Sequence, residues 1–100
     1  MIGSNSIVER CTGALFSTFG EETLAIDEQA GLCYSLNVSG SRIWELISGP
    51  TSVDTICARL RQEFAVDKAT CRRDVLHLLE RLHAAGLIKL QPEAPHEAVA

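Results

Sequence analysis

Apolar positions change their spacing once along this chain, near residue 37. Before that point they alternate: Leu24 and Ile26 share one side of a strand over Glu22–Asp27, and Leu32, Tyr34 and Leu36 share one side of the next. Period-2 spacing of this kind marks strands. A preceding apolar run, Ala14–Phe19, reads as a third strand. Gly20-Glu21 and Glu28-Gln29-Ala30-Gly31 supply turns, with Gly31 where a positive φ is expected. The three strands then form an antiparallel meander with Glu22–Asp27 in the centre and Leu32–Leu36 on an edge.

After residue 37 the spacing becomes helical. Asn37 or Ser39 caps a first helix carrying Ile43, Trp44 and Ile47, which stops at Gly49-Pro50. Ser or Thr in Thr51-Ser52-Val53-Asp54 caps a second helix, with Asp54 favouring the dipole of its first turn. Val53, Ile56, Cys57, Leu60 and Phe64 make its apolar stripe. A third helix begins at Asp67 and runs to about Ala85, with a core stripe of Cys71, Val75, Leu78, Leu79 and Leu82. Gly86 stands where a left-handed residue closes a helix, and Leu87, Ile88 and Leu90 form a final extended piece. Strands followed by helices imply an α+β fold, winged-helix-like, with a three-stranded antiparallel sheet followed by three helices.

With 100 residues the chain makes one domain. Residues 1–13 read as an N-terminal extension that is either loose or paired with another subunit. Residues 14–90 form the domain, and residues 91–100, with Pro92 and Pro95, form a frayed tail. No apolar run reaches the length of a membrane span, and the start lacks the pattern of a signal peptide, so a cytoplasmic protein with no membrane partner is expected.

Charge changes the picture further. The net charge is −4, but residues 1–50 carry two basic groups against six carboxylates, while Cys57–Leu90 carry seven against four. A duplex-binding domain normally has a clear basic surplus, because phosphate contacts dominate its affinity. The local surplus here suits a modest anionic partner better than nucleic acid.

Catalytic chemistry finds no foothold. The chain has no nucleophile set beside a histidine, no phosphate loop and no paired-carboxylate or HExxH motif, so it is not expected to be an enzyme. Cys11, Cys33, Cys57 and Cys71 contain no CxxC pair, and no metal or other cofactor is expected. Cys71 and His77 stand about 240° apart around one helix and cannot share an ion from it.

Two surfaces could bind something. The strand Leu32, Cys33, Tyr34, Ser35, Leu36 carries no Lys, Pro or bulge to blunt its free edge, so it can accept an extended peptide as an added strand or pair with itself in a homodimer. On the third helix a second stripe, Arg72, Leu76, Leu79 and His83, runs beside the core stripe, with Arg73 next to Leu76. If that helix packs beside the edge strand, the two enclose a groove with an apolar floor and a basic mouth. Leu76 completing the core is the alternative. Trp44 reads as core, Asn37 as the residue shaping the strand-to-helix corner, and Asp74 as a local cap or ion pair, for which Arg42 and Lys68 are ordinary partners.

Tyr34-Ser35-Leu36-Asn37, Ser39-Gly40, Ile43-Trp44-Glu45-Leu46, Phe64-Ala65-Val66-Asp67, Arg72-Arg73-Asp74-Val75 and Ala85-Gly86-Leu87-Ile88 together resemble the PqqD family. The resemblance covers about Leu15 to Leu90. It implies a RiPP recognition element, a peptide chaperone that holds the leader segment of a ribosomally synthesised precursor peptide for a radical SAM enzyme, as in PQQ biosynthesis, or for a leader peptidase, as in lasso peptide biosynthesis. It further implies that the leader adds as a strand beside Leu32–Leu36, with the third helix as the opposite wall. Tyr34 and Trp44 look more like the stand-alone lasso-type or generic members than like the PQQ protein. A winged-helix DNA-binding regulator and a structural dimerisation module are the readings from other classes.

Overall fold

The computed structural model describes residues 2–3 and 5–91. Along the chain run β1 (Ile7–Arg10), β2 (Leu15–Phe19), β3 (Glu22–Asp27), β4 (Leu32–Leu36), α1 (Val38–Leu46), β5 (Thr51–Ser52), α2 (Val53–Glu63), α3 (Lys68–Ala84) and β6 (Ile88–Gln91). The expected meander is present as a sheet in the order β2-β3-β4. The three helices start where the capping residues indicate. Asn37, Ser52 and Asp67 each accept a backbone N–H three residues on, from Gly40, Thr55 and Thr70. Gly31 and Gly86 take φ of 69° and 77°, a region that Cβ disfavours. At Gly86 this ends α3, and the Leu87 N–H returns to the Leu82 carbonyl at 3.0 Å.

A second sheet, β5-β1-β6, was not expected from the sequence. Its central strand is β1, in the segment read as a separate extension. Ile7, Val8, Glu9 and Arg10 pair antiparallel with Gln91, Leu90, Lys89 and Ile88. Val8 is fully buried, and Ile2 joins the same core. Local sequence carries little sign of it: Ile7 and Val8 are adjacent rather than alternating, and every partner of β1 lies more than forty positions downstream. Gln91, expected in the tail, belongs to β6; the rest of that tail, 92–100, lies outside the described residues.

The hairpin registers decide which side chains enter the core. Thr23 pairs with Leu36 and Ala25 with Tyr34, and the sheet turns this side toward the helices. Thr23, Ala25 and Leu36 are buried. Leu24 and Ile26 do share a side, but it is the outer one, opposite Ser35 and Cys33. A shift of one residue in register would exchange the two sides of the strand. On the inner side Trp44 is 1% exposed. The Phe16 ring meets it edge-on at 5.5 Å, and the Arg10 guanidinium lies 5.3 Å from it.

Among the helices, Val53, Ile56 and Leu60 of α2 pack with Cys71, Val75, Leu79 and Leu82 of α3. Fully burying one such aliphatic side chain contributes on the order of 1.5–3 kcal/mol. The Cys71 thiol donates to the Cys57 carbonyl at 3.8 Å across the two helices. Among the described residues no helix is long and apolar enough to cross a membrane.

Candidate functional site

β4 pairs only with β3 among the described residues, so its other edge carries free N–H and C=O groups. That edge borders a cavity of about 460 Å³. Leu36, Ile43, Leu60, Phe64, Val66, Val75 and Leu78 line it with apolar surface. Ser35, Asn37, Ser39, Asp74, His77 and Arg81 line it with polar groups. Its walls are the end of β4, the first turns of α1, one side of α3, and Leu60 of α2 with Phe64 and Val66 from the connection that follows it.

The corner between β4 and α1 is built by local bonds. Asn37 Oδ1 accepts from the Gly40 N–H at 2.9 Å and from the Ser39 hydroxyl at 3.1 Å. The buried Ser41 hydroxyl donates to the Leu36 carbonyl at 3.1 Å. These bonds satisfy backbone groups that a sharp strand-to-helix turn would otherwise orphan. Gly40 has little room: a Cβ there would lie 3.2 Å from Asn37 Oδ1 and 3.3 Å from Leu36 Cβ.

On α3 the side toward the cavity is Asp74, His77, Leu78 and Arg81, spaced i, i+3, i+4 and i+7. The Arg81 guanidinium carbon lies 6.0 Å from the Tyr34 ring centroid, reaching from one wall to the other. Of the strand residues singled out by sequence, Ser35 and Leu36 line the cavity, Tyr34 meets Arg81, and Leu32 and Cys33 are exposed along the same strand. The helix residues singled out by sequence lie elsewhere. Arg72, Arg73 and His83 are exposed and line no part of the cavity. Leu76 is half-buried against the core, and Leu79 is fully buried within it. The two stripes flank the core stripe on opposite sides, roughly half a helical turn apart. Periodicity reveals both flanks but not which one faces the strand. Leu78, assigned to the core by its spacing, packs against the core and also borders the cavity, as Val75 does.

Asp74 pairs locally, as expected, but with Arg73 rather than with Arg42 or Lys68. Asp74 sits 3.4 Å from Arg73, and Arg42 bonds to Glu63 at 2.8 Å and to Glu45 at 3.2 Å. The Arg42 guanidinium holds the Glu63 carboxyl below its ordinary range. Burial, with the Cys71 thiol beside it, pushes the Cys57 thiol up to about 11, so Cys57 is not primed as a nucleophile. No group of three or more His, Cys, Asp or Glu is placed to hold a metal ion among the described residues.

A groove of this form, an open strand edge facing a helix across an apolar cavity, suits an extended peptide. A family model described as "Coenzyme PQQ synthesis protein D (PqqD)" matches residues 22–88. The chain belongs to the PqqD family. The match to PqqD runs from β3 into β6 and so takes in every wall of the groove, leaving β1 and β2 outside it. Among solved structures the PqqD fold of this chain is similar to "TbiB1 in Complex with the TbiA(beta) Leader Peptide". The identity is 26% and the TM-score 0.71, over 86% of this chain and 98% of that one. A comparison with curated proteins finds no match.

Proposed function

We propose that the chain is a non-catalytic leader-peptide-binding protein, a RiPP recognition element, that presents a ribosomal precursor peptide to a radical SAM enzyme or a leader peptidase. The observation that carries this reading is the unpaired edge of β4 beside an apolar cavity walled by α3. A peptide laid along β4 gains main-chain bonds from the strand, and its alternate side chains turn toward the cavity. Leu36, Ile43, Val75 and Leu78 there offer apolar contact to bulky anchors. Arg81 and His77 at the rim stand ready for an acidic residue, while Asp74 disfavours one beside it. Membership of the PqqD family and the likeness to a protein solved with its leader peptide support the same reading. We set this encounter in the cytoplasm, a reducing compartment in which the four free thiols would stay reduced.

The test is an amide NMR titration of labelled protein with leader peptides of lasso-type and PQQ-type precursors. Shifts are expected along Leu32–Leu36 and at Asp74, His77, Leu78 and Arg81. Shifts confined to Arg72, Leu76 and His83, or none with any leader, would overturn the proposal.

A further inference from the structure

The helices cover only one side of the β2-β3-β4 sheet. Its outer side carries Leu15, Ile26 and Cys33 in one cross-strand row and Ser17, Leu24 and Ser35 in the next, with Phe19 beyond them. Leu15 is 43% and Phe19 65% exposed, and Leu24 and Ile26 are only half-buried. A contiguous apolar surface on a folded domain marks an interaction site more often than solitary exposed residues do.

Charge indicates what covers it. From Cys11 to Ser41 the chain has no Lys, Arg or His, and its charged groups are the four carboxylates Glu21, Glu22, Asp27 and Glu28. Glu22 lies on the outer side itself, Glu21 in the turn at one end, and Glu28 in the turn at the other. Arg10 offers no compensation there, because it stacks on Phe16 on the inner side, 4.8 Å from the ring centroid. A two-fold pairing of this side with a second copy would bring like charges together. A partner with an apolar centre flanked by Lys and Arg is complementary.

We infer that the outer side of the sheet, centred on Leu15, Phe19, Leu24 and Ile26, is the docking surface for the enzyme that processes the bound peptide, and that this enzyme meets it with an apolar patch bordered by basic residues. This rests on the leader-binding reading, and the two surfaces are continuous. Cys33 and Ser35 of the groove strand project on the outer side. A leader strand added beside β4 extends that side by one strand, so the enzyme contacts sheet and substrate together.

The experiment pairs the full chain with a purified leader peptidase and, separately, a purified radical SAM peptide-modifying enzyme, measuring enzyme affinity by biolayer interferometry and leader affinity by titration calorimetry. The variants are Leu15→Ser with Phe19→Ser, all exposed positions, and Glu21→Lys with Glu22→Lys. Each pair is expected to weaken enzyme binding at least tenfold while leader affinity stays unchanged, and the charge variant is expected to lose the salt dependence of the wild type. Unchanged enzyme affinity in both variants overturns the inference. So does a wild-type dimer in sedimentation equilibrium that the Ser variant dissociates. Leader calorimetry on the wild type separates the two ideas: a chain that binds the enzyme through this side but no leader sinks the leader-binding reading alone.

Discussion

The Arg81 guanidinium and the Tyr34 ring face each other at 6.0 Å, joining the helix wall of the groove to its strand wall. Arg81 is exposed, and a cation near an aromatic face contributes about 0.5–1 kcal/mol at such sites. Its removal therefore costs the fold little and the groove more. Arg81→Glu is expected to leave the thermal midpoint nearly unchanged and to weaken an acidic leader by roughly tenfold, about 1.4 kcal/mol. Arg72→Glu, on the opposite flank of α3, is expected to leave leader affinity as it was. Calorimetric titration of both variants decides it, and equal losses would mean that charge acts at long range rather than at the rim.

Leu78 and Leu79 are neighbours in sequence with different duties. Leu79 is fully buried in the core, whereas Leu78 is half-buried at the edge of the cavity. Leu79→Ala is expected to destabilise by about 2–5 kcal/mol through the void it leaves. Leu78→Ala is expected to cost less stability and more peptide affinity. Denaturant unfolding and leader titration on the same two proteins separate the effects.

These two leucines also explain what the sequence could reveal. Alternation in Leu32–Leu36, the caps at Asn37, Ser52 and Asp67 and the closing Gly86 are local signals, and they locate the elements within a residue or two. The edge position of β4 follows from the order of the hairpins. Orientation is less legible. A stripe on α3 with two polar-apolar flanks does not say which flank meets β4: the spacing offers Arg72, Leu76 and His83 on one side, while Asp74, His77 and Arg81 on the other line the cavity. The strand β1 was invisible because four residues with adjacent apolar positions become a strand only through partners at Thr51–Ser52 and Ile88–Gln91.

Gly40 lies where the groove corner is tightest. Leu78 Cδ2 would be 3.5 Å from an added Cβ, in addition to the closer contacts with Asn37 and Leu36. Gly40→Ala gains helix propensity of about 1 kcal/mol in α1 but crowds the Asn37 cap. The expected net outcome is a lower thermal midpoint and weaker leader binding, since the corner must open to admit the methyl. An Ala variant that is more stable and binds equally well would show that the corner yields freely.

Stability should depend on pH at both ends. The Thr70 N–H donates to Asp67 at the start of α3 and holds its carboxyl below the ordinary range, as Arg42 does for Glu63. Both carboxyls have depressed folded values, so their stabilisation is present above their unfolded values of about 4 and is lost as pH falls through the folded ones. Asp67→Asn and Glu63→Gln are expected to flatten the acid side of a midpoint-versus-pH curve. Cys57 acts in the opposite direction. Its thiol is raised to about 11, so its contribution is complete below the unfolded value and disappears as pH rises toward that number. Cys57→Ala should remove that alkaline decline, while Cys33, which is exposed, should be alkylated faster than Cys57 at neutral pH.

Adding a strand to β4 makes a demand that side-chain changes cannot test. In an antiparallel ladder with one partner, successive residues send their N–H groups alternately to the partner and away from it. Leu32 and Cys33 pair with Asp27 and Ile26, and both side chains are exposed, so replacing either mainly removes a donor. Proline deletes that donor. Of Leu32→Pro and Cys33→Pro, one should lose a ladder bond to β3 and drop in thermal midpoint. The other should keep its midpoint closer to wild type and lose leader affinity, because its missing N–H belonged to the open edge. Thermal unfolding and titration calorimetry on the two variants give four numbers, and the pattern must be crossed. If both retain leader affinity, the peptide does not bond to this edge, and side-chain contacts with the cavity alone would have to hold it.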